Sequence, residues 1–342
     1  MRAGGLEVTV VLPTRDRWAL AREALRSALA QQNVSVEVCV VDDGSVDPAP
    51  ADFSADTRVR LFRHETPRGV AASRNRGVSE ARADWIAFLD DDDLWAPSHL
   101  EHLLAAVLAD KTGWAFSRFV YTDIERTPGD VGPVPCIEND YQRQFLRLNP
   151  IGTPSCVIVS TEMVRRVGGF DEQLSVMADW DLWVRLAALA PPTSSTELSV
   201  GYAQHAGNMS LDIDRVRQEM AYIAVRHRDL LGRLGVRFAD NHHFWRWMAV
   251  RYAAQRRRLM AARFYLKAAL NGRCRRDVFR AIGMIPVIGW PVVARRKILG
   301  VARRRAYSGM PPSGDYLWLQ VPEADPAAPS SEPLPGVESS HR

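Results

Sequence analysis

The apolar positions of this chain fall into two kinds of block that take turns along its first half. Val8–Leu12 is a short apolar, β-branched run closed by Pro13, after which Trp18, Ala21, Leu25, Ala28 and Leu29 recur at helical spacing. Val36–Val41 and Val59–Phe62 repeat the strand-like run, Val70–Ala83 reads as a helix, and Trp85–Leu89 as a further strand. Pro97 opens another helix, to about Leu108, since a proline in the first turn loses no hydrogen bond. Trp114–Tyr121 is again strand-like. Strands that are apolar throughout and alternate with helices predict an α/β fold, a mostly parallel sheet with helices on both faces. Ligands of such sheets bind beyond the carboxyl ends of the strands, where three of the most polar clusters of this chain lie.

After residue 122 the pattern loosens. Thr127–Pro135, rich in Pro and Gly, reads as a surface loop; Cys156–Ser160 as a strand; Thr161–Val167 as a helix before a turn at Gly168-Gly169. Asp179–Ala190 reads as a helix and Leu198–Tyr202 as a last strand, and from Asp212 to about Arg305 the reading is helical. The Pro/Ser/Glu-rich end predicts a disordered tail. The expected organisation is an α/β domain over 1–211, a basic α-helical extension over 212–306 and a tail over 307–342. Ile282–Val293 is the longest apolar stretch, but it holds Pro286 and Pro291 and falls short of the ~18 residues of a spanning helix.

Charge sharpens this division. The net charge of +4 hides residues 226–306, where 21 Lys/Arg stand against 3 Asp/Glu, while residues 1–225 hold 22 against 32. Phe244-Trp245-Arg246-Trp247, Arg256-Arg257-Arg258, Arg295-Arg296-Lys297 and Arg303-Arg304-Arg305 mix Arg with aromatic and aliphatic residues. Basic amphipathic helices of this kind predict docking on an anionic membrane surface. The rival readings are nucleic acid, with phosphates on Arg and bases on Trp, and a packed helical subdomain with solvated Arg. Cys39, Cys136, Cys156 and Cys274 lie far apart with no C-x-x-C pair, which excludes a zinc ribbon and argues for thiols in a reducing compartment. The N-terminus shows no basic, then apolar, then small-residue pattern, so a cytoplasmic protein, peripheral on the inner face of the cell membrane, is expected.

The chemistry concentrates at strand ends. Asp90-Asp91-Asp92-Asp93 closes an apolar strand, and four adjacent carboxylates need a cation: Mg2+ or Mn2+ held by one or two of them, or else the dipole of a solvated helix N-terminus. Asp42-Asp43-Gly44-Ser45 ends another strand, as acceptors for a base or ribose or as an ordinary Asx turn. Pro13-Thr14-Arg15-Asp16-Arg17 offers two guanidiniums to phosphate or carboxylate. Gly69–Gly77 opens a helix with small residues and Arg74, without the spacing of a dinucleotide fingerprint or P-loop.

Val-Val-Leu-Pro-Thr-Arg-Asp-Arg, Val-Val-Asp-Asp-Gly-Ser, Gly-Val-Ala-Ala-Ser-Arg-Asn-Arg-Gly and Phe-Leu-Asp-Asp-Asp-Asp-Leu-Trp, taken in order, resemble glycosyltransferase family 2. Val167–Glu172 and Ala178–Leu186 resemble the acceptor-side segment of that family, so the likeness covers roughly residues 6–210. It implies the Rossmann-like GT-A fold and an inverting, nucleotide-sugar-dependent enzyme with a divalent metal. It implies that Pro13, Thr14, Arg15, Asp42 and Asp43 meet the nucleoside and that Arg74 and Asn75 face the nucleotide-sugar. Asp90 and Asp92, with Asp91 between them, match a D-x-D motif whose last Asp reaches the metal and whose first lies nearer the ribose or sugar. Asp179 matches the catalytic base, although the usual preceding Glu is Ala178 here; Asp181 is the alternative base, or a structural partner. His205 falls where many members carry a His loop, as a third metal or diphosphate contact or a hydrogen-bonded loop residue.

The residues themselves suit that chemistry. Displacing a nucleoside diphosphate needs charge stabilisation at the leaving phosphates and a carboxylate to deprotonate the attacking hydroxyl. A single displacement without an enzyme nucleophile inverts the anomeric centre. The expected function is sugar transfer from a nucleotide-sugar to a glycan or lipid-linked acceptor. The alternatives are a nucleotidyltransferase, which leaves Asp179 without a role, and a non-catalytic protein that binds nucleic acid or membrane through its basic half.

Overall fold

The computed structural model of the chain describes residues 7–284, apart from 135, 138, 206–208, 210–211 and 273–274, together with residues 316–319. Its N-terminal part is a parallel βα unit: β1 (Val8–Thr14), α1 (Trp18–Leu29), β2 (Val36–Asp42), β3 (Val59–Arg63), α2 (Val70–Glu80) and β4 (Trp85–Phe88). These four strands lie side by side in the order β3-β2-β1-β4, all parallel, with Thr14 of β1 opposite Asp42 of β2. Every residue of β1 and β2 is buried, as two covered faces require. Helix α2 lies so close on β1 that a Cβ on Gly77 would stand 2.3 Å from Val11 Cγ1. That contact brings the N-terminus of α2 to the carboxyl edge of the sheet.

Beyond β4 the sheet changes direction. The following elements are β5 (Leu94–Trp95), α3 (His99–Asp110), β6 (Trp114–Thr122), β7 (Pro128–Val131), α4 (Tyr141–Arg147), β8 (Val157–Ser160), α5 (Thr161–Arg166), α6 (Ala178–Leu189) and β9 (Thr193–Ala203). The order continues β4-β8-β6-β9-β5; β8 is antiparallel to both neighbours, β9 is parallel to β6, and β5 is antiparallel to β9. The result is a curled, mixed sheet, parallel across the first four strands. Apolar runs report burial on both faces and not strand direction, so the antiparallel part was not legible in them. Thr127–Pro135 is not wholly a loop: β7 within it pairs with β6 as a hairpin.

The second half is helical: α7 (Ile213–Arg226), α8 (Arg228–Leu234), α9 (His242–Ala254), α10 (Arg258–Gly272) and α11 (Arg275–Met284). These helices are not a detached arm. Trp180 of α6 packs at a tilt against Phe238 and Phe244, with ring centroids 4.7 and 5.6 Å apart, so that one apolar core runs from the sheet into the helices. Trp245 and Tyr252 of α9 pack on Phe264 of α10, and buried Asp277 of α11 pairs with Arg246 and Arg280. The remainder of Ile282–Val293 after Met284, the Arg295–Lys297 and Arg303–Arg305 clusters, Cys274 and most of the tail lie outside the described residues.

Candidate active site

A cavity of about 1760 Å3 opens at the carboxyl ends of β1, β2 and β4. Pro13, Thr14, Arg15 and Arg17 from the end of β1, Asp43 after β2 and Arg74 of α2 form one end of its wall. Asp90, Asp91 and Asp92 follow β4 into the same space, and Asp179 of α6 and His205 beyond β9 face it from the other side.

The four consecutive aspartates divide by direction. Asp93 is fully buried: Thr153 and Ser155 donate to one carboxylate oxygen at 2.8 and 2.6 Å, and the Ala203 N–H donates to the other at 3.0 Å. Asp91, 1 % exposed, takes the Thr14 hydroxyl at 2.8 Å and the Arg17 Nε at 3.1 Å. Burial, outweighing the attraction of Arg17, pushes the Asp91 carboxyl up to about 7. Asp90 and Asp92 keep more exposure. Asp90 pairs with Arg74, whose guanidinium also lies over the Phe170 ring at 5.3 Å. The Asp92 carboxylate accepts from Arg17 Nη1 at 3.0 Å and meets His205 Nε2 at 2.9 Å.

Carboxylate oxygens alone would suit Mg2+ or Mn2+, and an imidazole nitrogen beside them favours Mn2+ of the two. Among the described residues no three His, Cys, Asp or Glu form a ready cage. Two guanidiniums meet the carboxylates of the acidic turn: Arg17 spans Asp91 and Asp92, and Arg74 pairs with Asp90. Arg126, from the β6–β7 turn, holds the backbone of the same turn by donating to the Asp92 carbonyl at 2.6 Å and to Glu23 at 2.8 Å.

Asp179 stands in the first turn of α6, where its Oδ1 accepts the Trp180 N–H at 2.7 Å. Burial pushes its carboxyl up to about 6; Arg74 opposes the rise and Asp90 adds to it. A feature that the sequence did not signal fixes this helix. Glu219 of α7, 3 % exposed, takes the backbone N–H groups of Ser175, Val176 and Met177 at 2.8–2.9 Å and so anchors, from another helix, the segment that leads into α6. No local spacing links Glu219 to α6; only the tertiary fold does.

Three of the expected site residues have other work. Asp181 is fully buried outside the cavity wall, with Arg185 at 2.7 Å, His227 at 2.8 Å and Arg226 at 3.3 Å around it. These contacts tie α6 to α7 and its C-terminus, and they leave Asp181 away from the space that Asp179 faces. Asp42 is likewise buried and outside the wall, accepting from Arg63 Nη1 and the Ser45 N–H, both at 2.8 Å. Asp43 faces the cavity in its place; it accepts from the Arg68 and Gly69 N–H groups at 2.8 Å each and pairs with His64. Asn75 grips the backbone of the Gly169 turn: its Oδ1 accepts the Phe170 N–H at 2.7 Å and its Nδ2 donates to the Phe170 carbonyl at 2.9 Å. A Cβ on Gly169, whose φ is +68°, would stand 2.4 Å from that Oδ1, so this close approach needs glycine.

The cavity continues well past Asp179. Phe119 and Tyr121 of β6 and Tyr202 of β9 form a cluster with centroids 5.0–5.6 Å apart, and Phe244, Trp247 and Val250 of α9 face the same space. Sequence reasoning did not find this aromatic wall, which is assembled from three separated segments. Its volume exceeds the usual 300–1,000 Å3 of a single-ligand pocket, leaving room for a second molecule beside the first.

With the curled α/β sheet, the acidic turn after β4 and the carboxylate of α6 in view, the chain can be compared with known proteins. Residues 9–168 match the sequence model of Glycosyl transferase family 2, and this segment belongs to that family. An uncharacterized glycosyltransferase of Haemophilus influenzae is 28 % identical over 185 residues, which cover 52 % of this chain and 61 % of that protein. Succinoglycan biosynthesis protein ExoO of Rhizobium meliloti is 43 % identical over 100 residues, 29 % of each chain. The chain thus spans less than two thirds of the length of these curated relatives. Among solved structures, the mannosyltransferase PcManGT of Pyrobaculum calidifontis, in complex with GDP-Man and Mn2+, aligns with a TM-score of 0.52 at 18 % identity, covering 88 % of this chain and 87 % of that one. TarS 1-349 of S. aureus in complex with UDP-GlcNAc aligns with a TM-score of 0.51 at 17 % identity, over 81 % and 80 %. These likenesses show the GT-A fold.

Proposed function

We propose that the protein is an inverting glycosyltransferase that moves a sugar from a nucleoside diphosphate donor to a hydroxyl of a glycan or lipid-linked acceptor. The observation that carries this reading is that one cavity holds the Asp92–His205 pair and, apart from it, the protonation-tuned carboxylate of Asp179. In this reading Thr14, Arg15 and Asp43 meet the nucleoside, Arg74 and Asp90 the diphosphate and sugar, and Asp92 with His205, beside Asp90, hold Mn2+ or Mg2+. The ion supplies charge stabilisation at the leaving phosphates. Asp179, ionised above a pKa of about 6, removes the proton of the attacking acceptor hydroxyl at neutral pH. Arg74 and Arg17 add positive charge at the donor end, and the aromatic wall beyond Asp179 excludes water and takes the acceptor.

The GDP-Man and Mn2+ in the complex of the Pyrobaculum neighbour are a donor and an ion of the kind proposed here. The ExoO name supports a role in polysaccharide assembly at the cell envelope. No described helix is long and apolar enough to cross a membrane, and the basic helices support a peripheral position on the inner face of the cell membrane. Nucleic acid is the weaker partner, because Phe244 and Trp245 are buried and offer bases no platform. A nucleotidyltransferase would leave Asp179 without a purpose. The test is isothermal calorimetry with a panel of nucleoside diphosphates and their sugars, with and without Mn2+, followed by donor hydrolysis. Metal-dependent nucleotide binding with slow hydrolysis supports the reading; no nucleotide binding under either condition refutes it.

A further inference from the structure

We propose that the outer face of α10 and α11 docks on an anionic lipid bilayer and brings the acceptor end of the cavity to the membrane surface. The proposal rests on the transferase reading and deepens it by naming the acceptor class, a lipid-anchored one. Along α10, Leu259, Leu266 and Leu270 share one solvent-facing stripe, while Ala261, Ala262, Tyr265 and Ala268 occupy the opposite, buried side. Leu270 is 75 % exposed. Along α11, Val278, Phe279 and Ile282 are likewise exposed, Phe279 by 66 %, while Asp277 and Ala281 are buried. Single exposed apolar residues are ordinary; six large ones on two adjoining short helices are not.

Charge decides what covers this face. Neither helix carries an exposed carboxylate, because α10 has no acidic residue and the Asp277 of α11 is buried between Arg246 and Arg280. Arg263 and Arg276 are exposed beside the apolar stripes. A second copy of the chain would set Arg against Arg. Nucleic acid would satisfy the Arg but leave the Leu and Phe side chains without apolar partners. An anionic bilayer answers both, with headgroups on the cations and acyl chains under the stripes.

The same two helices wall the cavity on their inner side, where Tyr265 of α10 and Arg280 and Met284 of α11 line it. The exposed stripes and the acceptor end of the cavity are therefore two sides of one pair of helices. A sugar carried on a lipid would enter the cavity beside the surface in which its tail is anchored, whereas a soluble nucleotide-sugar would reach the other end from solution.

The test is flotation of the full chain with phosphatidylcholine vesicles, with or without phosphatidylglycerol, comparing wild type with Leu270→Ser/Phe279→Ser and with Arg263→Glu/Arg276→Glu. Both pairs are exposed and lie outside the cavity wall, so folding and donor hydrolysis should be unchanged. Wild type should float with the anionic vesicles and far less with the neutral ones. The apolar pair should weaken binding about a hundredfold, roughly tenfold for each side chain withdrawn from the interface. The charge pair should weaken it most at low salt. Wild type that ignores anionic vesicles, or variants that float as well as wild type, overturn the proposal. So does a wild-type dimer, seen by light scattering, that the apolar pair dissociates without any change in flotation. Binding is read without substrate, so a chain that floats but never hydrolyses a donor would sink the transferase reading and leave the docking face standing.

Discussion

If Asp179 is the base, the pH dependence of the reaction is set by the environment of one carboxyl. Burial raises Asp179 to about 6 against the pull of Arg74. At pH 7 about nine tenths of the molecules then carry the ionised base, and at pH 5 about one tenth, so the rate should fall about tenfold between them. Asp179→Asn should remove that acid limb and lower the plateau by about 10²–10⁴-fold, the usual contribution of a positioned general base, while the affinity for nucleotide and Mn2+ stays as it was. Arg74→Met adds a signed check: without its cation the Asp179 carboxyl rises further and the acid limb moves to higher pH. The assay is donor hydrolysis, with water in the acceptor's place, followed from pH 5 to 8 beside calorimetry of nucleoside diphosphate binding. A flat profile, or an Asn variant within a few-fold of wild type, would mean that Asp179 is not the base, whatever the fold.

Asp92→Ala and His205→Ala should each abolish the Mn2+-dependent part of nucleotide binding in calorimetry and leave the metal-independent part. Asp181→Asn should cost about 3 kcal/mol in urea unfolding, because it leaves Arg185 and His227 facing an uncharged group, while the folded variant keeps turnover within a few-fold. Burial alone would raise Asp181, but His227 and Arg185 outweigh it and hold the carboxyl below its usual value. Its stabilising effect is therefore present at neutral pH and lost in acid, as pH falls through that lowered value, which acid titration of wild type against the variant checks. Asn75→Ala should cost about 1–3 kcal/mol in thermal unfolding by releasing the Gly169 turn, with donor affinity changed by less than the Asp92 variants change it.

Much of this was legible in the chain before any coordinates. Val8–Leu12, Val36–Val41 and Trp85–Leu89 announced strands because two-sided burial demands unbroken apolar runs, and the polar clusters after them became the cavity wall. Contacts between distant segments were less visible. Asp42 and Asp43 are adjacent and chemically identical, and their partners tell them apart: Arg63, 21 residues on, and the Ser45 N–H hold Asp42 inside, while Asp43 stays at the cavity. Nothing near Asp181 in sequence reveals that Arg226 and His227 surround it. The two-residue β5 and the short α4 carry too few turns of pattern to stand out. Glu219 could not have been found from spacing at all.

Asp93 has a consequence for how such a chain can change. Its one carboxyl joins the turn after β4, the segment just before β8 and the last residue of β9, stretches separated by 60 and 110 positions in sequence. The intervening chain enters and leaves through this knot. Segments hung between its three anchor points that make no contact with the acidic turn can lengthen, shorten or be replaced without moving the point at which Asp92 meets His205. A lineage could thus rewrite the far end of the cavity for a new acceptor while inheriting its donor end unaltered. The residue that makes this modularity possible touches neither molecule.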